Sequence, residues 1–164
     1  MRRLAILAAA LATVLAACGS DQDPALEAPE ADGAGDAATT TVDLGAQPVE
    51  YEVALSGDTE VPGPGDPDGT GRAVVRLETS VSQVCYEIAV EGIGEATAAH
   101  IHEAPAGQSG GVVLPLQAPI EGSALECSEA DEVLLQRLAS EPATFYVNVH
   151  NDEFPDGALR GQLG

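Results

Sequence analysis

The stretch Val84-Cys85-Tyr86-Glu87-Ile88-Ala89-Val90-Glu91 decides the fold class, because large apolar residues alternate along it with smaller or charged ones. A period of two is the spacing of side chains on one face of a β-strand. The same alternation occurs at residues 51–55 and 72–78. Further strands are predicted over residues 96–103, 111–116, 143–150 and 157–163. About seven short strands separated by Gly and Pro predict an all-β, antiparallel, Greek-key-like sandwich or barrel.

One segment departs from the period of two. Ser128 followed by Asp131 is typical of a capped helix start, so a short helix is predicted over roughly residues 129–139. Its apolar residues recur at helical spacing: Ala130, Val133, Leu134 and Leu138.

The first 17 residues have the pattern of an export signal. Arg2 and Arg3 precede an apolar run, Leu4–Ala17, that is shorter than the roughly 20 residues a membrane span needs. The run ends in Leu15-Ala16-Ala17-Cys18, which resembles the bacterial lipoprotein lipobox. That resemblance implies cleavage before Cys18, acylation of this cysteine and a lipid-anchored protein on the extracytoplasmic side, in the periplasm or on the cell surface. The alternatives are a cleaved secretory signal with an incidental cysteine and an uncleaved signal anchor.

Residues 18–48 are rich in Ala, Asp, Glu, Gly, Pro and Thr and contain no aromatic residue. Such a composition cannot bury enough apolar surface to offset the loss of chain entropy on folding. We therefore predict an acidic, disordered tether here, followed by a single β-domain over residues 49–164.

The charge of the chain restricts its partners. It has 27 acidic and 6 basic residues, with a formal net charge of −21, and no lysine. Proteins that bind nucleic acid use Lys and Arg to neutralise phosphates, so a nucleic-acid partner is excluded. The same charge opposes adsorption to anionic lipid, so attachment to the membrane is expected through the N-terminal lipid alone.

Two further cysteines, Cys85 and Cys127, lie in the predicted domain. An exported protein encounters oxidising conditions, which favours a disulfide between them. Free or metal-bound thiols are the alternative, because sequence spacing does not place their Cα atoms within bridging distance.

All three histidines lie in two predicted strands. Residues two apart on a strand share a face at about 6.6 Å, so His100 and His102 project together, opposite Ala99 and Ile101. In the later strand, Asn148 and His150 lie opposite the apolar set Phe145, Val147 and Val149. If the two strands are neighbours, the three imidazoles can converge at an accessible site.

Three neutral imidazoles suit Cu(II), Zn(II) or Ni(II), and copper or zinc is the metal we predict for His100, His102 and His150. A fourth ligand could be water or a carboxylate such as Glu103 or Asp152. The alternative is that the histidines are structural and clamp the backbone of the Gly107–Gly111 turn.

Six segments occur in order along the predicted domain: Leu55-Ser56-Gly57 through Glu60-Val61-Pro62, Gly69-Thr70-Gly71, Ala98-Ala99-His100-Ile101-His102, the Gly107–Gly110 turn, Tyr146-Val147-Asn148-Val149-His150 and Arg160-Gly161-Gln162-Leu163. Together they resemble the chordin-type (CHRD) domain family. The resemblance implies an extracytoplasmic β-sandwich with superoxide-dismutase-like or immunoglobulin-like architecture, found in exported bacterial proteins and in the animal protein chordin. It implies no established activity for bacterial members.

The chain departs from the common pattern of this family in three places. Glu103 stands where glycine is frequent and adds a potential ligand. Ala158 replaces a glutamate, which removes one. Cys85 and Cys127 are not part of the common family pattern, and the pair resembles a local addition to it. His100-Ile101-His102-Glu103 is also similar to the copper-ligand strand of copper-zinc superoxide dismutases, but three histidines cannot build that two-metal site.

Other candidate chemistry is weaker. Asp66-Pro67-Asp68-Gly69 and Asn151-Asp152-Glu153 are similar to calcium loops but lack the full loop spacing. The serines Ser56, Ser109 and Ser128 are not in a nucleophile motif, so no catalytic residue is predicted. The predicted function is a non-enzymatic, lipid-anchored module that binds a transition metal. The alternatives are a structural or adhesive module with an extracellular or periplasmic protein partner and no metal, and a mononuclear copper redox protein.

Overall fold

The computed structural model describes residues 48–164, and all structural statements below concern this part of the chain. It contains eight β-strands, one α-helix and four short 3₁₀ turns. The strands are β1 Val49–Ser56, β2 Thr70–Glu78, β3 Gln83–Glu91, β4 Ala96–Glu103, β5 Gly111–Leu116, β6 Ser123–Glu129, β7 Phe145–Asn151 and β8 Leu159–Gln162, and the helix is α1 Glu132–Ser140.

The eight strands form one sheet in the order β5-β4-β7-β8-β1-β2-β3-β6. Every pair in it is antiparallel. The edge strands β5 and β6 approach each other, and the hydroxyl of Ser128 donates to the carbonyl of Pro115 at 3.0 Å, so the sheet nearly closes. The predicted all-β antiparallel class with one helix is confirmed. In detail, the strands form one continuous hydrogen-bonded ladder instead of two separate sheets.

The predicted period of two separates an inner, apolar face of the sheet from an outer face. The inner residues of successive strands are fully buried and pack in one core, as expected when apolar area is removed from water. They include Val53, Val75, Tyr86, Ile88, Ala99, Ile101, Val147, Val149 and Leu159.

The helix begins later than predicted. Asp131 is its N-cap and accepts a hydrogen bond from the backbone of Leu134 at 2.8 Å. Ser128 does not cap the helix because it belongs to β6, where its hydroxyl donates to the carbonyl of Pro115. Leu135 and Leu138 point into the core, whereas Val133, predicted on the apolar face, is 66 % exposed.

The predicted disulfide between Cys85 and Cys127 is present. It joins directly opposite residues of β3 and β6. Strand β6 itself was not predicted from the sequence, because Ala124 is its only buried residue and Leu125 is 71 % exposed, which leaves no apolar alternation to detect.

The predicted signal segment 1–17, the lipidation site Cys18 and most of the tether 18–48 lie outside the described residues. Within residues 48–164 no helix has the length and apolar character to cross a bilayer.

Candidate metal centre

The three histidines meet on the outer face where β4 pairs with β7. The register places Ala98 opposite His150 and His100 opposite Asn148, so all three imidazoles project from the same side of two adjacent strands. One nitrogen of each ring lies within 4.8 Å of the others. The predicted convergence of His100, His102 and His150 is therefore confirmed.

One distance within the cluster matches the spacing of two metal ligands. Nδ1 of His100 is 3.3 Å from Nε2 of His150, and the two nitrogens share a hydrogen bond in the metal-free protein. Two nitrogens bound at about 2.0–2.1 Å and separated by a tetrahedral angle would be about 3.3 Å apart. The rings of His100 and His102 are 5.5 Å apart between centroids, and those of His100 and His150 are 5.2 Å apart.

Backbone carbonyls orient two of the rings. Nδ1 of His102 lies 3.0 Å from the oxygen of Gly110, and Nδ1 of His150 lies 3.0 Å from the oxygen of Pro155. A carbonyl only accepts, so Nδ1 of each ring carries the proton and Nε2 carries a lone pair. Nε2 of His102 is buried and has no hydrogen-bond partner within residues 48–164.

The surroundings of His100 and His102 favour their neutral forms. Burial lowers the pKa of His100, and the neighbouring His150 and His102 lower it further. Burial also lowers the pKa of His102, partly opposed by its bond to Gly110, and His150 and Arg160 add to the lowering. Because metal ligands must be deprotonated, a lowered pKa makes these nitrogens available at neutral pH.

Polar side chains continue from the histidines along the outer face of β7 and β8. Asn148 is 2 % exposed, Glu60 5 % and Arg160 1 %. The amide of Asn148 donates to the Glu60 carboxylate and, at 3.0 Å, to the carbonyl of Leu159. Burial raises the pKa of Glu60. We call Glu60, Asn148 and Arg160 the polar layer.

Tyr146 links the polar layer to the cluster. Its ring stacks on His102 with a centroid distance of 4.9 Å and an interplanar angle of 12°. The guanidinium of Arg160 lies 3.5 Å from the centroid of the Tyr146 ring. The sequence does not predict the contacts that Tyr146, Glu60 and Arg160 make here, although all three residues occur in the segments that carry the family resemblance.

The two carboxylates considered as a fourth ligand lie outside the cluster. Glu103 forms an ion pair with Arg137, and Asp152 is exposed in the turn after β7. Among the described residues, the group that could hold a metal consists of the three histidines. A protein carboxylate is therefore not the fourth ligand in this conformation.

A hydrogen bond from the backbone stabilises each of the two loops that are similar to calcium sites. The carboxylate of Asp66 accepts from the backbone of Asp68, and the side chain of Asn151 accepts from the backbone of Phe154. Each contact closes a tight turn. Ser109 and Ser128 donate to backbone carbonyls of Val61 and Pro115, consistent with structural hydroxyls.

Comparison with known protein families gives a match that covers most of the chain. The family model described as CHRD domain matches residues 51–163, which includes every residue of the histidine cluster and the polar layer. Searches of curated proteins and of solved structures return no match to this chain.

Proposed function

The chain belongs to the CHRD domain family, and we propose that this member is a lipid-anchored, extracytoplasmic, non-enzymatic module that binds one copper or zinc ion through His100, His102 and His150. The buried, unpartnered Nε2 of His102 is the observation that carries the proposal. An unsatisfied buried polar atom costs about 1–3 kcal/mol. A cation at this position would remove that cost.

The donor chemistry supports copper or zinc. Imidazole nitrogen suits both ions, and the ligand set contains neither thiolate nor carboxylate. Thiolate ligation by Cys85 and Cys127 is precluded by their disulfide. A bound ion would tie β4 to β7, while the carbonyls of Gly110 and Pro155 hold the ligand rings in place.

Titration with Cu(I), Cu(II) and Zn(II) tests the proposal. The full-length protein, purified in detergent with its disulfide intact, is compared with the triple variant H100A/H102A/H150A. We expect one equivalent of metal in the parent and none in the triple variant. Each single His→Ala variant should lose at least 10-fold in affinity, since a ligand is lost without replacement.

Glu103→Gln is the matched control. Glu103 follows His102 by one residue but pairs with Arg137, so this variant should bind metal with the parent's affinity. A parent that binds no metal, or a triple variant that binds as the parent does, would contradict the proposal.

The anchor and the location are supported by the N-terminal sequence, where Cys18 ends the lipobox-like run. Metabolic labelling with a fatty-acid analogue should label the parent and not Cys18→Ala, and the variant should leave the membrane fraction. Equal labelling of both proteins would argue against lipidation at Cys18.

A second function, a structural or adhesive module without metal, is favoured by the same two histidine contacts. The bonds to Gly110 and Pro155 fasten two covering loops whether or not a metal is bound. Under this alternative, metal titration fails and crosslinking on intact cells recovers a protein partner.

A further inference from the structure

We infer that Tyr146 is a positioning residue for the metal centre: its hydroxyl accepts from the backbone N–H of Gly110, and the carbonyl of the same residue keeps the proton of His102 on Nδ1 and so makes Nε2 the ligand atom. This inference rests on the proposed function and specifies how its central ligand is prepared.

Three contacts form a closed triangle. The backbone N–H of Gly110 donates to the hydroxyl oxygen of Tyr146 at 3.2 Å. The carbonyl of Gly110 accepts from Nδ1 of His102 at 3.0 Å. The Tyr146 ring stacks on the His102 ring at 4.9 Å. Tyr146 therefore contacts both His102 and the residue whose carbonyl orients it.

Gly110 has little room to move. A Cβ atom at residue 110 would lie 1.8 Å from the carbonyl oxygen of Glu103. Only glycine can approach the β4 backbone this closely without displacing it. The carbonyl that holds His102 is thus placed by a close backbone contact on one side and by Tyr146 on the other.

Tyr146 is itself fixed. It is 3 % exposed, and Arg160 covers the ring. Arg160 also donates to the carbonyls of Gln108 and Pro105, so it holds the 104–110 loop independently of the tyrosine hydroxyl. Removing that hydroxyl should leave the loop docked while the backbone of Gly110 loses one hydrogen bond.

The physical consequence concerns the tautomer of His102. A neutral imidazole protonates one nitrogen or the other, and the hydrogen bond of one nitrogen decides which lone pair is free for a metal. Loosening the Gly110 carbonyl lets the proton occupy Nε2 in part of the population, and protein in that state cannot use Nε2 as a ligand.

The test compares Tyr146→Phe with Ser109→Ala. Each variant removes one hydroxyl that forms a hydrogen bond of the 104–110 loop. The hydroxyl of Ser109, however, donates to the carbonyl of Val61 and not to a group that orients His102. We expect Tyr146→Phe to weaken Cu(II) and Zn(II) binding by about 10–100-fold with little change in Tm. Ser109→Ala should bind as the parent does.

Nitrogen-15 NMR of the metal-free protein reads the tautomer directly. We expect His102 to be the Nδ1–H tautomer in the parent and a mixture of the Nδ1–H and Nε2–H tautomers in Tyr146→Phe. Gly110→Ala, a second variant that displaces the same carbonyl, should give the same mixture.

Parent-like affinity of Tyr146→Phe, or an Nε2 proton on His102 in the parent, would overturn the inference. If the parent binds no metal, the proposed function fails, and the tautomer comparison still decides the role of Tyr146.

Discussion

The outer faces of the two halves of the sheet differ in environment although their sequences alternate in the same way. On the covered half, Asn148 of β7 and Arg160 of β8 are almost fully buried beneath covering loops. On the open half, Arg72 and Arg76 of β2 are exposed and pair with Glu87 of β3 and Glu50 of β1. The period of two therefore identifies the polar face of a strand, but it does not reveal whether that face meets water or a second layer of protein.

Removal of the disulfide should have the largest effect on stability, and this effect falls on the open half. The double variant C85S/C127S loses a link between residues 42 apart in sequence, which should cost about 3–4 kcal/mol in unfolding free energy. Urea denaturation measures this loss. Metal affinity should not change, because the histidines lie on β4 and β7. A loss of metal binding in the folded variant would show that the two halves are coupled.

Asn148→Ala should destabilise the covered half of the sheet. It removes the amide that donates to Glu60 and Leu159 and leaves a buried carboxylate with fewer donors. We expect a loss of about 2–3 kcal/mol in urea denaturation. A loss below 0.5 kcal/mol would mean that the polar layer is hydrated and not sealed.

Acidification should destabilise the covered half through its histidines. Unfolded histidines titrate near pH 6.5, whereas the pKa values of His100 and His102 are lowered in the fold. Stability is therefore complete above about pH 6.5 and is lost as the pH falls toward the lowered values, because only the unfolded state takes up these protons.

Glu60 opposes this trend. Its pKa is raised by burial, so the folded state takes up this proton first and gains stability on acidification. We expect Tm to fall between pH 7.5 and 5.5 in the metal-free parent and to fall less in H100Q/H102Q. Equal Tm changes in the parent and in H100Q/H102Q would refute the assignment to these histidines.

Arg76→Ala should have the smallest effect. Its guanidinium pairs with Glu50 on the open half, where both side chains are substantially exposed. Exposed pairs contribute about 0–1 kcal/mol, so urea denaturation should show a change no larger than that. A cost comparable to that of Asn148→Ala would remove the contrast between the two faces.

Local patterns were sufficient to predict the strands that carry the site and the face on which the histidines lie. Alternation around Ile101 and Val147 fixed that face, because their inward burial forces His100 and His150 outward. The sequence does not predict the pairing of β4 with β7, because this pairing depends on topology that no local pattern encodes.

Contacts between distant segments could not be predicted. Glu60 and Asn148 are 88 residues apart, and the bond from Gly110 to Tyr146 depends on how a loop returns over the sheet. Strand β6 was missed for a different reason. It is held by backbone pairing and a disulfide, and neither depends on a repeating apolar side chain.

The arginines of residues 48–164 have a consequence for the rate at which ions reach the protein. Three are paired with Glu87, Glu50 and Glu103, and the fourth, Arg160, is enclosed. In a chain with a formal net charge of −21, the surface potential seen by an approaching cation is attractive. Such a field raises encounter rates, and its reach shrinks to about 10 Å at 0.1 M salt. The association rate constant for a metal ion should therefore be highest at low ionic strength and should fall steeply as the salt concentration rises.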